Sequence, residues 1–416
     1  MSKTVKNPLP ALGVDVLSNE TALIPGTVRE AVNVDIGRAG VYKRRAGQTL
    51  RVSGRDFHSI WLSQQRNIIF VGKGNKINQF VPTDHSLVEL GALNSGDPVS
   101  YTEYNGNVYW TNKSTLQWLP ADAVSIRAVG VPVPEYNPSL VPATGNLLPG
   151  KYGVRITYID DRGEEGGATD LQIIDLPGGG GIALNGLPTM HPSWQIRVYT
   201  TEPNSSRLRI TATFPAVFPM YTISTSANGD DCDTIGMKPM PSGEFITWLA
   251  GRLYIARGNT LYFSEAGRPH LHTPAHNYIQ FSGLITFIES VSDGIYVGDS
   301  RGVWFLKGND PVKFEQILVN INRAIRRSGV KIPAGNLPEK KVPSPNPVAV
   351  WLSTVGYVAG MDGGVTVELQ PERVKVPAGL IGRTVYLFRD GIKQVITPVN
   401  STSTVAFGTA VDSVIS

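Results

Sequence analysis

Three histidines stand close together in the run RPHLHTPAH, at His270, His272 and His276. A His-x-His pair on one strand face can hold a divalent metal through its imidazole nitrogens. Pro269 and Pro274 break up the same stretch, which favours a polar loop, and no metal ligand is assigned here. Two acidic turns, Asp160-Asp161 with Glu164-Glu165 and Asp230-Asp231 with Asp233, offer the oxygen ligands calcium takes. Neither has EF-hand spacing, so calcium stays an open question. Carboxylates that cleave a glycoside must face each other across a groove, whereas these sit in turns.

The remaining chemistry is thinner. Gly178–Gly181 resembles a phosphate loop in composition only, because IALNGLP follows it instead of a helix carrying lysine and a hydroxyl. It reads as a flexible loop. No G-x-S-x-G elbow presents a serine nucleophile. Cys232, in GDDCDT, has acidic neighbours that raise a thiol's pKa and work against a reactive thiolate. No catalytic residue, cofactor site or metal site is assigned, and the chain is read as non-enzymatic.

Basic residues are the better candidates for interaction. Lys43, Arg44 and Arg45 form the densest cluster, suited to guarding a strand edge or meeting an anionic partner. The segment 321–347 carries Arg323, Arg326, Arg327, Lys340 and Lys341 among several prolines and reads as a long loop or arm. These eight residues are the candidate interaction set.

The elements that position them are hairpins. In 245–271, Leu253-Tyr254-Ile255 and Leu261-Tyr262-Phe263 flank Arg257-Gly258-Asn259, and a short Gly-containing turn between β-formers predicts a hairpin. The same spacing joins Phe70 to Ile77, Tyr109 to Leu116 and Tyr296 to Val303, with one more residue from Tyr357 to Val365. A tryptophan precedes three of them, at Trp61, Trp248 and Trp351. Recurrence at about 40–45 residues fits a β-propeller blade, which cannot bury both faces of its small sheet alone. Repeated aromatics such as Tyr254, Tyr262, Phe263, Trp304 and Phe305 then pack between blades.

The expected fold is all-β: a propeller-like ring of about five to seven short antiparallel sheets. Blades are expected at 55–94, 95–135, 240–281 and 282–320, a fifth at Trp351–Pro377 and a degenerate sixth at Arg383–Val399. Between the second and third, short alternating strands in 138–238 predict an inserted β-sandwich. The domains are thus an extended arm at 1–30, propeller at 31–137 and 239–416, and the insert. A strand from 32–52 is expected to complete the last sheet, since an open ring leaves an unpaired edge.

Composition agrees. Of 416 residues, 41% are hydrophobic and only 17% charged, with 44 glycines and 30 prolines, the mix of a turn-rich β protein. Net charge +4 with a pI near 9.0 is too mild a bias for a nucleic-acid signature. One cysteine excludes an intramolecular disulfide. The opening MSKTVKNPLPALGVD lacks a signal-peptide apolar core, and no apolar run reaches membrane-spanning length.

AVNVDIGRAGVYKRRAGQT, at 31–49, resembles the opening of structural proteins from tailed bacteriophages, and WLAGRLYIARGNTLYFSEAGRPHLH resembles their blade phrase. LPGKYGVRITYIDDRGEEGGAT with IRVYTT is similar to the fibronectin-like modules such virion proteins carry. The resemblance implies a component of a tail nozzle, distal tail or baseplate. Such a protein is made in the bacterial cytoplasm, located in the virion, and assembled as a symmetric homo-oligomer with other tail proteins. Two other roles remain on the residues alone: a carbohydrate- or receptor-binding module contacting host-surface glycan, and a glycan-cleaving propeller enzyme.

Overall fold

The computed structural model describes residues 14–31, 34–36, 42–44, 49–337, 342–369, 375–377, 379–389, 392–401 and 410–414. It is all-β, built of small antiparallel sheets, with only short 3-10 turns and no α-helix among the described residues. Among the described residues no helix is long and apolar enough to cross a membrane.

Five sheets are four-stranded antiparallel meanders whose strands follow in chain order. Their first strands are Phe57–Ser63, Ser100–Tyr104, Phe245–Leu249, Phe287–Val291 and Val330–Ile332. A sixth sheet comprises Leu380–Gly382, Val385–Arg389, Ile392–Ser401 and Ala410–Val414. The recurring hairpin is the second and third strand of each of the first four. In the third meander, Arg252–Arg257 pairs with Thr260–Phe263 so that Arg257 faces Thr260 across Gly258-Asn259. Gly258 takes φ 63°, which a two-residue hairpin turn demands and which costs glycine little.

The fifth meander departs from expectation by one strand. Trp351 and Tyr357 lie on its second and third strands, Val348–Ser353 and Gly356–Gly360. Its first strand, Val330–Ile332, comes from the segment expected to be a loop or arm. Three residues are too few to show an alternating pattern, so the prolines around them dominated the reading.

Cores lie between consecutive meanders. Phe70 and Ile77 of the first pack with Val108 and Trp110 of the second. Tyr109 and Trp118 of the second meet Ile246, Leu253 and Ile255 of the third. Tyr254 and Phe263 meet Ile288, Ile295 and Val297 of the fourth, whose Tyr296 and Phe305 meet Trp351 and Val358 of the fifth. Alternation within a strand sends neighbouring side chains into different cores. Trp110, Trp351, Tyr254 and Tyr296 are fully buried, each worth roughly 1.5–3 kcal/mol or more of apolar transfer.

Between the second and third meanders the chain forms two facing sheets around one core. One holds Ser139–Leu147, Gly180–Asn185 and Met220–Ile223. The other holds Gln172–Leu176, Gly150–Ile159, Gln195–Thr201 and Leu208–Pro215. Ile156, Val198 and Ile196 pack against Ile182, Leu184 and Ile223 between them. The glycine run is no loose loop. Gly180 and Gly181 begin a strand, and a Cβ on Gly181 would lie 2.6 Å from Thr144 O and 2.8 Å from Ile223 O. Close approach of two flanking strands requires glycine there.

Two terminal expectations change. Val34–Ile36 pairs with Tyr42–Arg44, while the described strands of the last sheet pair with one another, so the 32–52 region does not complete that sheet among the described residues. Segment 14–28 is not extended: Asp15 N donates to Val28 O, and Asp15 Oδ1 accepts from Leu17 N and Ser18 N. Residues 1–13 lie outside the described residues.

Candidate axial site

First strands of successive meanders lie side by side. Ile246 N donates to Ser100 Oγ at 3.2 Å, and Thr247 Oγ1 donates to Ser290 Oγ at 3.0 Å. Arg327, just before the fifth meander, reaches Pro98 O, just before the second, at 3.5 Å. Contact across two intervening meanders means the array bends about a common axis. Pro98, Glu244, Thr286 and Arg326-Arg327, which precede first strands, converge at one end of it with Arg383, which follows Leu380–Gly382.

Arginines dominate that end. Arg326 donates to Ile285 O at 2.8 Å and forms an ion pair with Glu244. Arg327 lies 4.0 Å from the same carboxylate, and both guanidiniums sit over the Phe245 ring, at 5.4 and 5.1 Å. Gly382 N donates to Arg326 O, and Arg326 bridges Ile381 in parallel, which brings Arg383 alongside. Burial, with Arg383 and Arg326 adding repulsion, pushes Arg327 down to about 9. Burial also lowers Arg326 and Arg383. Arg327 takes φ 64°, a left-handed conformation that side chains disfavour.

Further along the axis is a cavity of about 290 Å³ lined by Tyr104, Trp248, Ala250, Ser290, Lys331 and Pro347 among others. Lys331 Nζ donates to Ser290 Oγ at 2.7 Å, and that hydroxyl donates to Trp248 O at 2.9 Å. Lys331 keeps contact with solvent but is walled by the first strands, and this enclosure holds its ammonium below its ordinary range. Desolvation raises Glu289 to about 7, against the pull of Lys331. Tyr104 stacks on Trp248 at 4.5 Å and stays 41% exposed, one aromatic face open to solvent.

From Trp248 the stack continues to Tyr109 at 5.9 Å and Trp118 at 5.4 Å, ending with Arg162 of the two-sheet insert 5.4 Å above Trp118. Ion pairs fix the insert at the same place. Arg127 pairs with Asp160 and Asp161, Arg162 with Asp122 at 3.2 Å, and Arg268 with Asp233 at 2.5 Å. The acidic turns are therefore engaged by arginines, and Asp160 Oδ1 also accepts from Arg162 N and Glu164 N. His270 is buried and its Nε2 donates to Glu165 O, while His272 is buried beside Lys238 O. The two imidazoles thus serve different carbonyls; His276 is exposed. Among the described residues, no group of three or more His, Cys, Asp or Glu is placed to hold a metal. Cys232 is buried, and burial, more than nearby acid, raises its thiol.

Among the described candidate interaction residues, the structure turns Arg326 and Arg327 inward together. Arg323 is exposed, with its carbonyl accepting from Thr354 N. Lys43 and Arg44 share the short Tyr42–Arg44 strand, and Arg44 is exposed. Arg45, Lys340 and Lys341 lie outside the described residues. Sequence reasoning missed Glu244, Arg383, Lys331 and Ser290. Glu244, Lys331 and Ser290 lie on or just before a first strand and Arg383 just after one, a position that shows only once the sheets are in register.

No family model matches the chain, and no curated sequence matches it. Solved structures with some likeness include AztD from Citrobacter koseri, at 10% identity, 85% of each chain and TM-score 0.35. Others are the computationally designed protein Ika8, at 10%, 86% of each chain and 0.32, and Kluyveromyces lactis Hsv2, at 8%, 86% of this chain, 97% of that one and 0.28. Likeness this slight says nothing about function.

Proposed function

We propose that this chain is a non-enzymatic structural component of a bacteriophage tail, in its nozzle, distal tail or baseplate. In this reading the meanders and the last sheet are blades of a six-bladed β-propeller, and the two-sheet insert is a fibronectin-like sandwich spliced into its rim. The observation that carries it is the fixed seat of the insert. An aromatic column, an arginine cap and three sets of ion pairs hold it on the second and third meanders. A module so anchored presents a constant surface to neighbours, which a symmetric assembly requires. The phrases at 31–49 and 248–272 support the viral origin. Copies of this chain and other tail proteins are its partners, and the virion is its location.

The test is mass spectrometry of purified phage particles whose genome encodes the chain, with light scattering and electron microscopy of the recombinant protein. Presence in particles and a discrete symmetric oligomer are expected. Absence from particles, together with a monomer at every concentration, would sink the proposal.

Binding of host-surface glycan is the second reading, favoured by the exposed Tyr104 face beside Ser290 and Lys331 in the axial cavity. Aromatic faces stack on sugar rings while such polar groups take hydroxyls. A glycan-array screen that finds no ligand lost in Tyr104→Ala would remove it.

A further inference from the structure

We propose that the arginine cluster at the head of the axis is a binding site for a tetrahedral dianion, of which inorganic phosphate and sulfate are the representatives. Arg326 and Arg327 share a single contacting carboxylate, Glu244, and the Arg383 charge, brought alongside by the Arg326–Gly382 backbone bond, acts on Arg327 as well. Three cations against the one carboxylate in contact leave a net charge of plus two, which matches a dianion better than a carboxylate ligand. Asp97, the other acid that Arg327 feels, is engaged by Ser95 Oγ at 2.8 Å and Lys113 Nζ at 3.6 Å.

Donors on Arg327 and Arg383 are also unspent. Arg327 has only 8% of its side chain exposed, yet beyond the Phe245 ring its polar contacts are a marginal 3.5 Å bond to Pro98 O and the 4.0 Å approach to Glu244. Among the described residues the Arg383 guanidinium donates no hydrogen bond; the residue's bond to Pro398 O comes from its backbone N. A largely buried guanidinium with only marginal polar partners is costly, and forked N–H donors suit tetrahedral oxyanions. The backbone adds a second, independent sign. Arg327 is held in the left-handed region by its N–H bond to Thr286 O at 2.9 Å, strain of the kind that collects at ligand clamps. A nucleic-acid strand fits less well, because Glu244 and Asp97 flank the site and repel a run of phosphates.

The test is calorimetric titration of the full chain with sodium phosphate, sulfate and acetate at constant ionic strength and pH 7.5, with phosphorus-31 line broadening as a second readout. Phosphate and sulfate should saturate one site per chain, with acetate at least about tenfold weaker. Arg383→Gln should weaken phosphate by about tenfold or more, whereas Lys313→Gln, on a distant exposed turn, should change nothing. Absence of saturable phosphate or sulfate binding would overturn the proposal. So would binding unchanged in Arg383→Gln, or a single-stranded oligonucleotide that binds here without competition from phosphate. If Arg383→Gln does not fold, the contrast between phosphate and acetate in the unaltered chain still decides.

Discussion

The insert and the run of meanders bury the same kinds of side chain in opposite ways. The insert folds two sheets onto each other and closes one core between them. Each inner meander turns one face to the unit before it and the other to the unit after, so it shares two cores and owns neither. A self-contained core can fail by itself, whereas failure in a shared core spreads. The insert should thus behave as a separable unit, and the meanders as one.

Trp351→Ala is the hardest blow to that contrast. Trp351 is fully buried among Phe287, Tyr296 and Val358, and its loss should cost about 3–5 kcal/mol. Near-UV circular dichroism and hydrogen exchange should report loosening of the third, fourth and fifth meanders together. Protection lost in the fifth alone would contradict the shared-core account. Ile196→Ala, fully buried in the insert, should cost about 2–5 kcal/mol but confine its effect to 139–223. Meander amides that exchange faster in this variant would show the two regions to be one cooperative unit.

The junction sharpens the comparison through pH. Desolvation first, then Asp160 and Asp161, raise Glu164 to about 7 against the pull of Arg162 and Arg127. Tyr109 also faces it, and His270 Nδ1 lies 3.8 Å away. A carboxyl raised in the folded state binds its proton more tightly there than when unfolded. Its contribution therefore favours folding at low pH and declines as pH rises from about 4.5 towards 7. His270, lowered by burial, acts in the other direction, since the unfolded chain gains the proton as pH falls through 6.5. Denaturant midpoints for wild type minus Glu164→Gln should slope downward across pH 4.5–7 and flatten above it. A flat difference would mean that Glu164 ionises in the fold as it does in water.

Much of the meander architecture was legible because its hairpins repeat apolar-aromatic spacing and glycine turns, both short-range signals. Phe70, Tyr109, Tyr254 and Tyr296 all proved to be core residues of a second strand. Tyr357 satisfied the same spacing and sits on a third strand, because spacing does not count the strands before it. In the insert, Met220–Ile223 was readable, but Ser139–Leu147 was not: its PATG interior and mostly exposed face carry little alternation. The axial site was least legible. Arg326 and Arg327 stood out as a basic pair, but Glu244 and Arg383 join them only through contacts between residues far apart in the chain, as Lys331 joins Ser290. Charge density marked Arg326 and Arg327 for solvent, and tertiary packing turned them inward.

The smallest predicted effect concerns a turn that the axial cavity and the third meander share. Ala250-Gly251 links Phe245–Leu249 to Arg252–Arg257, with φ 48° at Ala250 and 79° at Gly251. Alanine in the left-handed region costs about 1–2 kcal/mol, and asparagine occupies it with less strain. The corresponding turn of the second meander, Asn105-Gly106 between Tyr104 and Asn107, already has asparagine there at φ 49°. Ala250→Asn should therefore stabilise the chain by about 0.5–1 kcal/mol, read as a higher denaturant midpoint at unchanged slope. Because the strain sits in the meanders, the gain should appear in their transition and leave that of the insert where it was. Destabilisation by the same change would mean that the turn's methyl group is packed against the cavity wall, and that shape there outweighs backbone preference.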